Sequence, residues 1–445
     1  MGIKWKDKRV LVLGAGASGV AAKAFLERRG CHVSLYDDKD EDKPDFQAGE
    51  FDLAVLSPGF SIKHPIAKKF QSKITSELAL GFCARTKKII AVTGTNGKTT
   101  VVNMVHSALN ARRKKSILVG NSGDPVTGLE HEIKRKIAIT EVSSFMMEPH
   151  FIAHDKAKKP YRFRPKIAAI LNISQDHLDR HDSMQIYAQH KAQITRHQRW
   201  CDKLVLNYDN NLTRDIARQT RARVYYFSTK TRVRGIYLMD GNVYLNLCKW
   251  GKPKQVLRQR DIPDRSEHSI QNLLASMLIC HLARVSWKPL LNVKREKHKI
   301  QHVADIGNIS FYNDSKATNI SATLAACATF SAQIHLLIGG ESKGQNFAQL
   351  FENLPSNVAH VFAFGPHAEL MEEVAHGAGF HDISTYETME DAIQSAQEAG
   401  EGPRVVLLSP AAASFDMFKN YRERGEKFIE AVEKLQGEME SGGEV

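Results

Sequence analysis

Short apolar, β-branched runs recur along the chain, most ending in glycine, serine, asparagine or an acidic residue and leading into a stretch with helical spacing. Val10 to Leu13 runs into Gly14-Ala15-Gly16-Ala17-Ser18-Gly19 and a helical pattern from Val20 to Arg29. His32 to Tyr36 ends at Asp37 and Asp38, and Leu53 to Leu56 ends at Ser57-Pro58-Gly59. Further strands are predicted at Ile89 to Val92, Ile137 to Thr140, Ile167 to Leu171, Ile309 to Tyr312, His335 to Ile338, Val361 to Phe364 and Val405 to Leu408. Buried-type strands alternating with helices imply parallel sheets covered on both faces, an α/β protein. Between Lys203 and Leu257 the strands shorten around turn signals such as Asp240-Gly241-Asn242, which predicts an excursion from the central region. The acidic, glycine-containing tail after Gln436 is expected to fray.

A length of 445 residues allows about three domains at ordinary domain sizes. The strand pattern divides near Lys87 and again near Lys297, giving regions 1–87, 88–296 and 297–445. No signal-peptide core precedes the first strand, and no uncharged run is long enough to span a bilayer, so no membrane partner and a cytoplasmic location are expected. The six cysteines are scattered without C-x-x-C spacing, which argues for idle thiols over disulfides or zinc. The formal charge of +13 invites a nucleic-acid reading. Basic runs such as Arg112 to Lys115 and Lys156 to Lys166 lack a recognisable module, however, and an enzyme with several anionic substrates would also gain from a positive field. A nucleic-acid partner is therefore the weaker expectation.

Gly14, Gly16 and Gly19 after a strand, with Asp37 downstream, fit a turn that lets backbone approach a diphosphate at a helix N-terminus. A nicotinamide cofactor, another diphosphate ligand such as a UDP-sugar, and a purely structural turn all remain open on this signal. Gly94-Thr95-Asn96-Gly97-Lys98-Thr99-Thr100 lies between a strand and a helix, the context of a phosphate loop, although Val92 stands where the full motif has its first glycine. Lys98 can reach β- and γ-phosphates and the Thr99 hydroxyl can hold Mg²⁺. Glu141, at the end of the next strand, is either a metal ligand or an ordinary surface carboxylate. His177 alone reads as a satisfied histidine, but it follows another strand terminus of the same sheet.

These motifs resemble the Mur ligase family. The short phosphate loop, Glu141-Val142-Ser143-Ser144, and Asp176-His177-Leu178-Asp179-Arg180 with Lys191 downstream are similar to its central motifs in order and spacing. Asn313-Asp314-Ser315-Lys316-Ala317-Thr318-Asn319, Gly339-Gly340-Glu341-Ser342-Lys343 and Ser409-Pro410-Ala411-Ala412-Ala413-Ser414-Phe415-Asp416 resemble the branch that adds D-glutamate. The likeness implies three α/β domains: an N-terminal Rossmann-like domain, a central parallel-sheet ATPase with the phosphate loop, and a C-terminal Rossmann-like domain. It also implies an enzyme of cytoplasmic peptidoglycan precursor synthesis, with UDP-N-acetylmuramoyl-L-alanine, D-glutamate and ATP as substrates and a monomeric chain. The nicotinamide reading of the glycine turn then falls away.

By the same resemblance, Ala17, Ser18, Asp37, Ser57 and Asn121 contact the UDP-substrate. Gly94 to Thr100, Asn272, Lys299, Asp314 and Lys316 bind ATP. Two Mg²⁺ ions lie near Thr99 and Glu141 and near His177 and Lys191, and Lys191 acts as an N-carbamate made with CO₂, since an ammonium cannot ligate a metal. Without the family Lys191 reads as a solvated helical lysine. His177, Thr318, Lys343, Ser414, Phe415 and Tyr421 hold the amino acid. Two positions depart from the family pattern: Lys299 follows His298 where an arginine is common, and Ser269 follows His268 where an asparagine is common. A lysine is a point charge without the guanidinium fork, so a looser phosphate contact is expected. The rival readings are a related ligase for L-glutamate or another amino acid, and a non-catalytic nucleotide- or nucleic-acid-binding protein on the same scaffold.

Overall fold

The computed structural model describes residues 3–39, 46–83, 88–121, 123–152, 162–177, 180–248, 251–263, 267–292, 297–341 and 344–442. Three separate sheets carry the chain. The first contains β1 (Arg9–Leu13), β2 (His32–Tyr36), β3 (Leu53–Leu56) and β4 (Ile74–Ser76), all parallel, in the order β2-β1-β3-β4. The second contains β5 (Lys88–Thr93), β6 (Ser116–Gly120), β7 (Ile137–Glu141), β8 (Ile167–Ile170), β9 (Lys203–Asn207), β10 (Arg223–Ser228), β11 (Gly235–Met239), β12 (Asn242–Asn246) and β13 (Lys254–Arg258). Their order is β13-β12-β11-β10-β9-β8-β5-β7-β6. The third contains β14 (Gln301–Ile306), β15 (Ile309–Asn313), β16 (Gln333–Ile338), β17 (Val358–Phe364), β18 (Ile383–Tyr386) and β19 (Arg404–Leu408), ordered β14-β15-β19-β16-β17-β18.

The predicted strands all form, within three residues of the expected ends. Lys203 to Leu257, expected to be an excursion, instead extends the second sheet. β9 and β10 pair in parallel with it, and β11 to β13 close its edge as an antiparallel meander. The tail does not fray at Gln436; it continues the helix Tyr421–Gly442.

Burial explains the layers. The helix Lys98–Ala111 places Val101, Val102, Val105, Ala108 and Leu109 at helical spacing on one face, where they pack with Leu273, Leu274, Met277 and Leu278 of the helix Glu267–Leu282. On the opposite face Ile89, Ala91, Ala168, Ile170, Leu204 and Leu206 meet Met146, Met147, Tyr187 and Ile194. A central parallel sheet with two buried faces follows.

By internal contacts the chain divides into two compact units, Met1–Ile173 with Ser183–Val293, and Ser174–Asp182 with Lys294–Val445. The first unit thus holds the first two sheets, and a buried polar joint binds them. The Thr127 amide and hydroxyl donate to Glu77 Oε1 at 2.7 and 2.8 Å, and Ser76 Oγ lies 2.9 Å from His150 Nε2. Arg29 pairs with Glu130, and the Phe82 and Phe163 rings stand 5.5 Å apart. A Cβ on Gly81 would come 2.5 Å from Val126 Cγ1, so only glycine permits this approach. Burial raises the Glu77 carboxyl pKa against the pull of the Thr127 hydrogen bonds.

Candidate active site

β5 delivers the chain into Gly94, and the helix Lys98–Ala111 begins directly after Gly97. Gly97 has φ +81°, and a Cβ there would lie 2.2 Å from Asn272 Oδ1, so glycine is required both by the left-handed backbone and by the asparagine wedged against it. No side chain caps this helix, leaving the positive end of its dipole to an anion. Asn172, at the exit of β8, holds the loop from the side. Its carbonyl accepts from Thr95 N at 2.9 Å, its Oδ1 accepts from Asn96 N at 2.8 Å, and its Nδ2 donates to Asn96 O at 3.2 Å.

Around this loop the structure gathers most of the expected central residues. Lys98 Nζ donates to Thr95 O at 2.6 Å. Thr99 Oγ1 donates to Glu141 Oε2 at 2.8 Å, and Asn121 Nδ2 donates to Glu141 Oε1 at 2.9 Å. Lys191 is buried at 1% exposure; its Nζ donates to Gly94 O at 2.8 Å and stands 4.4 Å from the Tyr187 ring centroid. The Tyr187 hydroxyl lies 3.3 Å from Thr95 Oγ1. Lys191 is therefore no solvated lysine but part of the loop's floor. The hydroxyl of Thr99 and the carboxylate of Glu141 converge as hard oxygen donors, the type a small divalent cation takes.

His177 follows β8. It lies in the segment Ser174–Asp182 of the second compact unit, with φ +55° and its Nε2 3.6 Å from Asp176 Oδ2. That segment is tied to the helix Ile320–Cys327 through Ser174 Oγ and Ser321 Oγ, 3.0 Å apart.

At the first sheet, Ala17, Ser18, Asp37 and Ser57 meet at the carboxyl ends of β1, β2 and β3. Ser57 Oγ donates to Gly14 O at 3.0 Å, and a Cβ on Gly19 would fall 1.8 Å from that same carbonyl. Asp37 Oδ2 accepts from Ala15 N at 2.6 Å and Oδ1 from Lys39 N at 3.2 Å, and these amides hold its carboxyl below the usual range. Asn121 stands apart from this cluster, on Glu141.

In the second unit the three expected motifs leave adjacent strands, β15, β19 and β16. Asp314 is buried; Ser409 Oγ donates to its Oδ2 at 2.9 Å and Ile300 N to its Oδ1 at 3.2 Å. Burial pushes its carboxyl up to about 7, opposed by these bonds and by the cations Lys299 and Lys316. Lys299, Lys316, Thr318 and Tyr421 are half-buried, Ser414 is buried, and Phe415 is 67% exposed. Lys343 lies outside the described residues. One residue the sequence did not reveal links all three motifs. The buried Arg424 guanidinium donates to Gly339 O, Ser315 Oγ, Ser315 O and Ala412 O at 3.0 to 3.1 Å. Asn172 and Tyr187 were also missed as site residues, although Tyr187 precedes Lys191 by one helical turn.

A buried carboxyl with a raised pKa makes stability pH-dependent in a defined direction. The folded state favours the neutral acid, so stability is full at low pH and declines as pH rises from the unfolded value near 4 through about 7. Asp314→Asn is expected to raise the melting temperature of the second unit, by more at pH 8 than at pH 5. The gain at pH 8 is at most about 4 kcal/mol, and ATP binding is expected to weaken at the same time. Equal gains at both pH values would show that ionisation is not the cause.

Comparison with known proteins is consistent with this geometry. The Mur ligase middle domain matches residues 92–280 and the Mur ligase, glutamate ligase domain matches residues 298–412. A UDP-N-acetylmuramoylalanine--D-glutamate ligase of Caldanaerobacter subterraneus is 35% identical, covering 97% of this chain and 99% of that one. The ligase of the same name from Clostridioides difficile is 32% identical over the same shares. Among solved structures, the MurF ligase of Thermotoga maritima in complex with ADP has a TM-score of 0.58 at 15% identity, covering 98% of this chain and 96% of that one. A pseudomurein peptide ligase type C from Methanothermus fervidus has a TM-score of 0.60 at 14% identity, covering 96% and 100%. With both domain families matched and near-full-length relatives at this identity, the chain belongs to the Mur ligase family.

Proposed function

We propose that this chain is an ATP-dependent ligase that adds D-glutamate to UDP-N-acetylmuramoyl-L-alanine in peptidoglycan precursor synthesis, acting as a cytoplasmic monomer. Among the described residues no helix is long and apolar enough to cross a membrane. The observation that carries the reading is the Thr99–Glu141 pair at the start of a phosphate-loop helix, with Lys191 buried beneath the same loop. The relatives bearing this activity in their names cover nearly the whole chain. The proposed division of labour is a UDP-substrate domain at 1–87, an ATPase at 88–296 and an amino-acid and nucleotide domain at 297–445.

A carboxylate does not acylate an amine at neutral pH, so the terminal carboxylate of the UDP-linked substrate first takes the γ-phosphoryl group of ATP. Two anions must then approach each other. Lys98 screens the transferring phosphoryl while the loop amides of Gly94 to Thr100 hold the phosphates in place. Asn272 meets the adenine, and Asp314 accepts from the ribose hydroxyls, with Lys299 and Lys316 near the phosphates. Thr99 and Glu141 would hold one Mg²⁺, and His177 with an N-carbamylated Lys191 a second. When bound, these ions neutralise phosphate and carboxylate charge. Thr318, Lys343, Ser414, Phe415 and Tyr421 orient D-glutamate so that its amine attacks the acyl phosphate and displaces phosphate.

Phosphate release assayed with ATP, magnesium, bicarbonate and UDP-N-acetylmuramoyl-L-alanine should appear with D-glutamate and fall at least a hundredfold with L-glutamate or lysine. Comparable turnover with L-glutamate or lysine would transfer the assignment to a sister ligase, and no turnover with any amino acid would remove it.

A further inference from the structure

The phosphate loop occupies the carboxyl end of the second sheet, yet a dense row of cations lines the amino end. Six neighbouring parallel strands each enter the sheet behind or upon a basic residue. Across the sheet these are Arg223 on β10, Lys203 on β9, Lys166 before β8, Lys88 on β5, Lys136 before β7 and Lys115 before β6. The register keeps them in line: Arg223 is the partner of Lys203, Lys203 of Ile167, and Ile137 of both Lys88 and Ser116. At about 4.8 Å between strands the row is roughly 24 Å long. Mutual repulsion is felt within it, since the Lys203 amine is pushed below its usual pKa by burial and then by Arg284, Lys88 and Arg223.

Two ordinary explanations cover only part of the row. Lys203 donates to Leu282 O at 2.8 Å and the adjacent Lys114 to Arg284 O at 2.9 Å, so these two satisfy carbonyls at a helix end. Lys166 shares the buried Asp202 with Arg164. Lys88, Lys115 and Arg223 are exposed and are not accounted for in this way. Nor does the row serve the anionic substrates. β5 spans roughly 17 Å between Lys88 and Thr93, about twice the Debye length at physiological salt.

Beside the row stands Trp200, 71% exposed, with the Arg223 guanidinium 5.6 Å from its ring centroid. A line of cations flanked by an exposed aromatic face is what an extended phosphate chain with unstacked bases requires. A bilayer would demand an apolar face to insert as well as charge, and a single tryptophan is not such a face. We propose that the amino edge of the second sheet binds single-stranded nucleic acid, with the cations on the phosphates and Trp200 under a base.

The test uses the full chain and a fluorescein-labelled 12-nucleotide oligouridylate, followed by anisotropy from 50 to 200 mM NaCl. About four phosphate contacts predict a slope of log K against log salt near −3. The triple variant Lys88→Gln, Lys115→Gln, Arg223→Gln is expected to bind at least tenfold more weakly with a shallower slope. Trp200→Ala is expected to weaken binding severalfold without changing the slope. Ligase turnover and melting temperature should match the parent in both. Absence of binding by the parent at 50 mM NaCl, or parental affinity in the triple variant, would overturn the proposal. So would flotation with phosphatidylglycerol vesicles in the absence of oligonucleotide binding, which would make this edge a membrane dock.

Discussion

Lys98→Ala is expected to yield a protein that folds and melts as the parent does but whose kcat for phosphate release is lower by about a thousandfold. Removing one preorganised electrostatic donor costs 10²- to 10³-fold in comparable sites, and here the ammonium faces a phosphoryl group in transit. The structural cost should be small because the loop keeps its own bonds to Asn172 when the Nζ donation to Thr95 O is lost. Steady-state phosphate release together with thermal melting separates the two effects. A kcat within tenfold of the parent would mean that Lys98 does not screen the transferring group. A fall in melting temperature matching the lost activity would make its role structural.

Arg424→Met should have the largest effect on stability. The guanidinium is completely buried, and burial lowers its pKa to about 9, yet it forms no ion pair at hydrogen-bonding distance among the described residues. Its donors instead satisfy three carbonyls and one hydroxyl on the loops after β15, β16 and β19. Methionine replaces the stem but leaves those acceptors buried without donors, at about 1–3 kcal/mol each when unrelieved. A loss on the order of 4 kcal/mol, or roughly 10 °C in a unit of this size, is expected. The KM values for ATP and D-glutamate should rise together, because Ser315 adjoins Asp314 and Ala412 lies two residues from Ser414. Arg424→Lys, which keeps charge but not the fork, should fall between parent and methionine variant. An unchanged melting temperature in Arg424→Met would sink the argument.

The strands were legible because buried parallel strands are written as unbroken apolar runs, as in Leu53–Leu56 and Ile167–Ile170. The phosphate loop was legible because its glycines, lysine and threonines are contiguous. What the chain brings together from afar was not. Nothing local to Arg424 says that it will reach Gly339, 85 residues earlier, and an arginine near a helix start, beside Arg422 and Glu423, reads as surface charge. The resemblance assigns Asn121 to the UDP-substrate; that its amide shares the Glu141 carboxylate with Thr99 was not legible, because only the β6–β7 pairing creates that relation. The meander β11 to β13 was misread because a strand's short length does not reveal which sheet it joins.

The polar joint around Glu77 has a bearing on how the first 87 residues can exist. The first sheet has apolar clusters of its own on both faces, but separating it from the second sheet would expose Val126, Phe82 and Phe163 and strip the Glu77 carboxyl of its donors. The boundary visible in the topology is therefore expected to be bridged in cooperativity: a fragment cut at residue 87 should melt below the parent, because the cut uncovers both the polar joint and the apolar patch beside it.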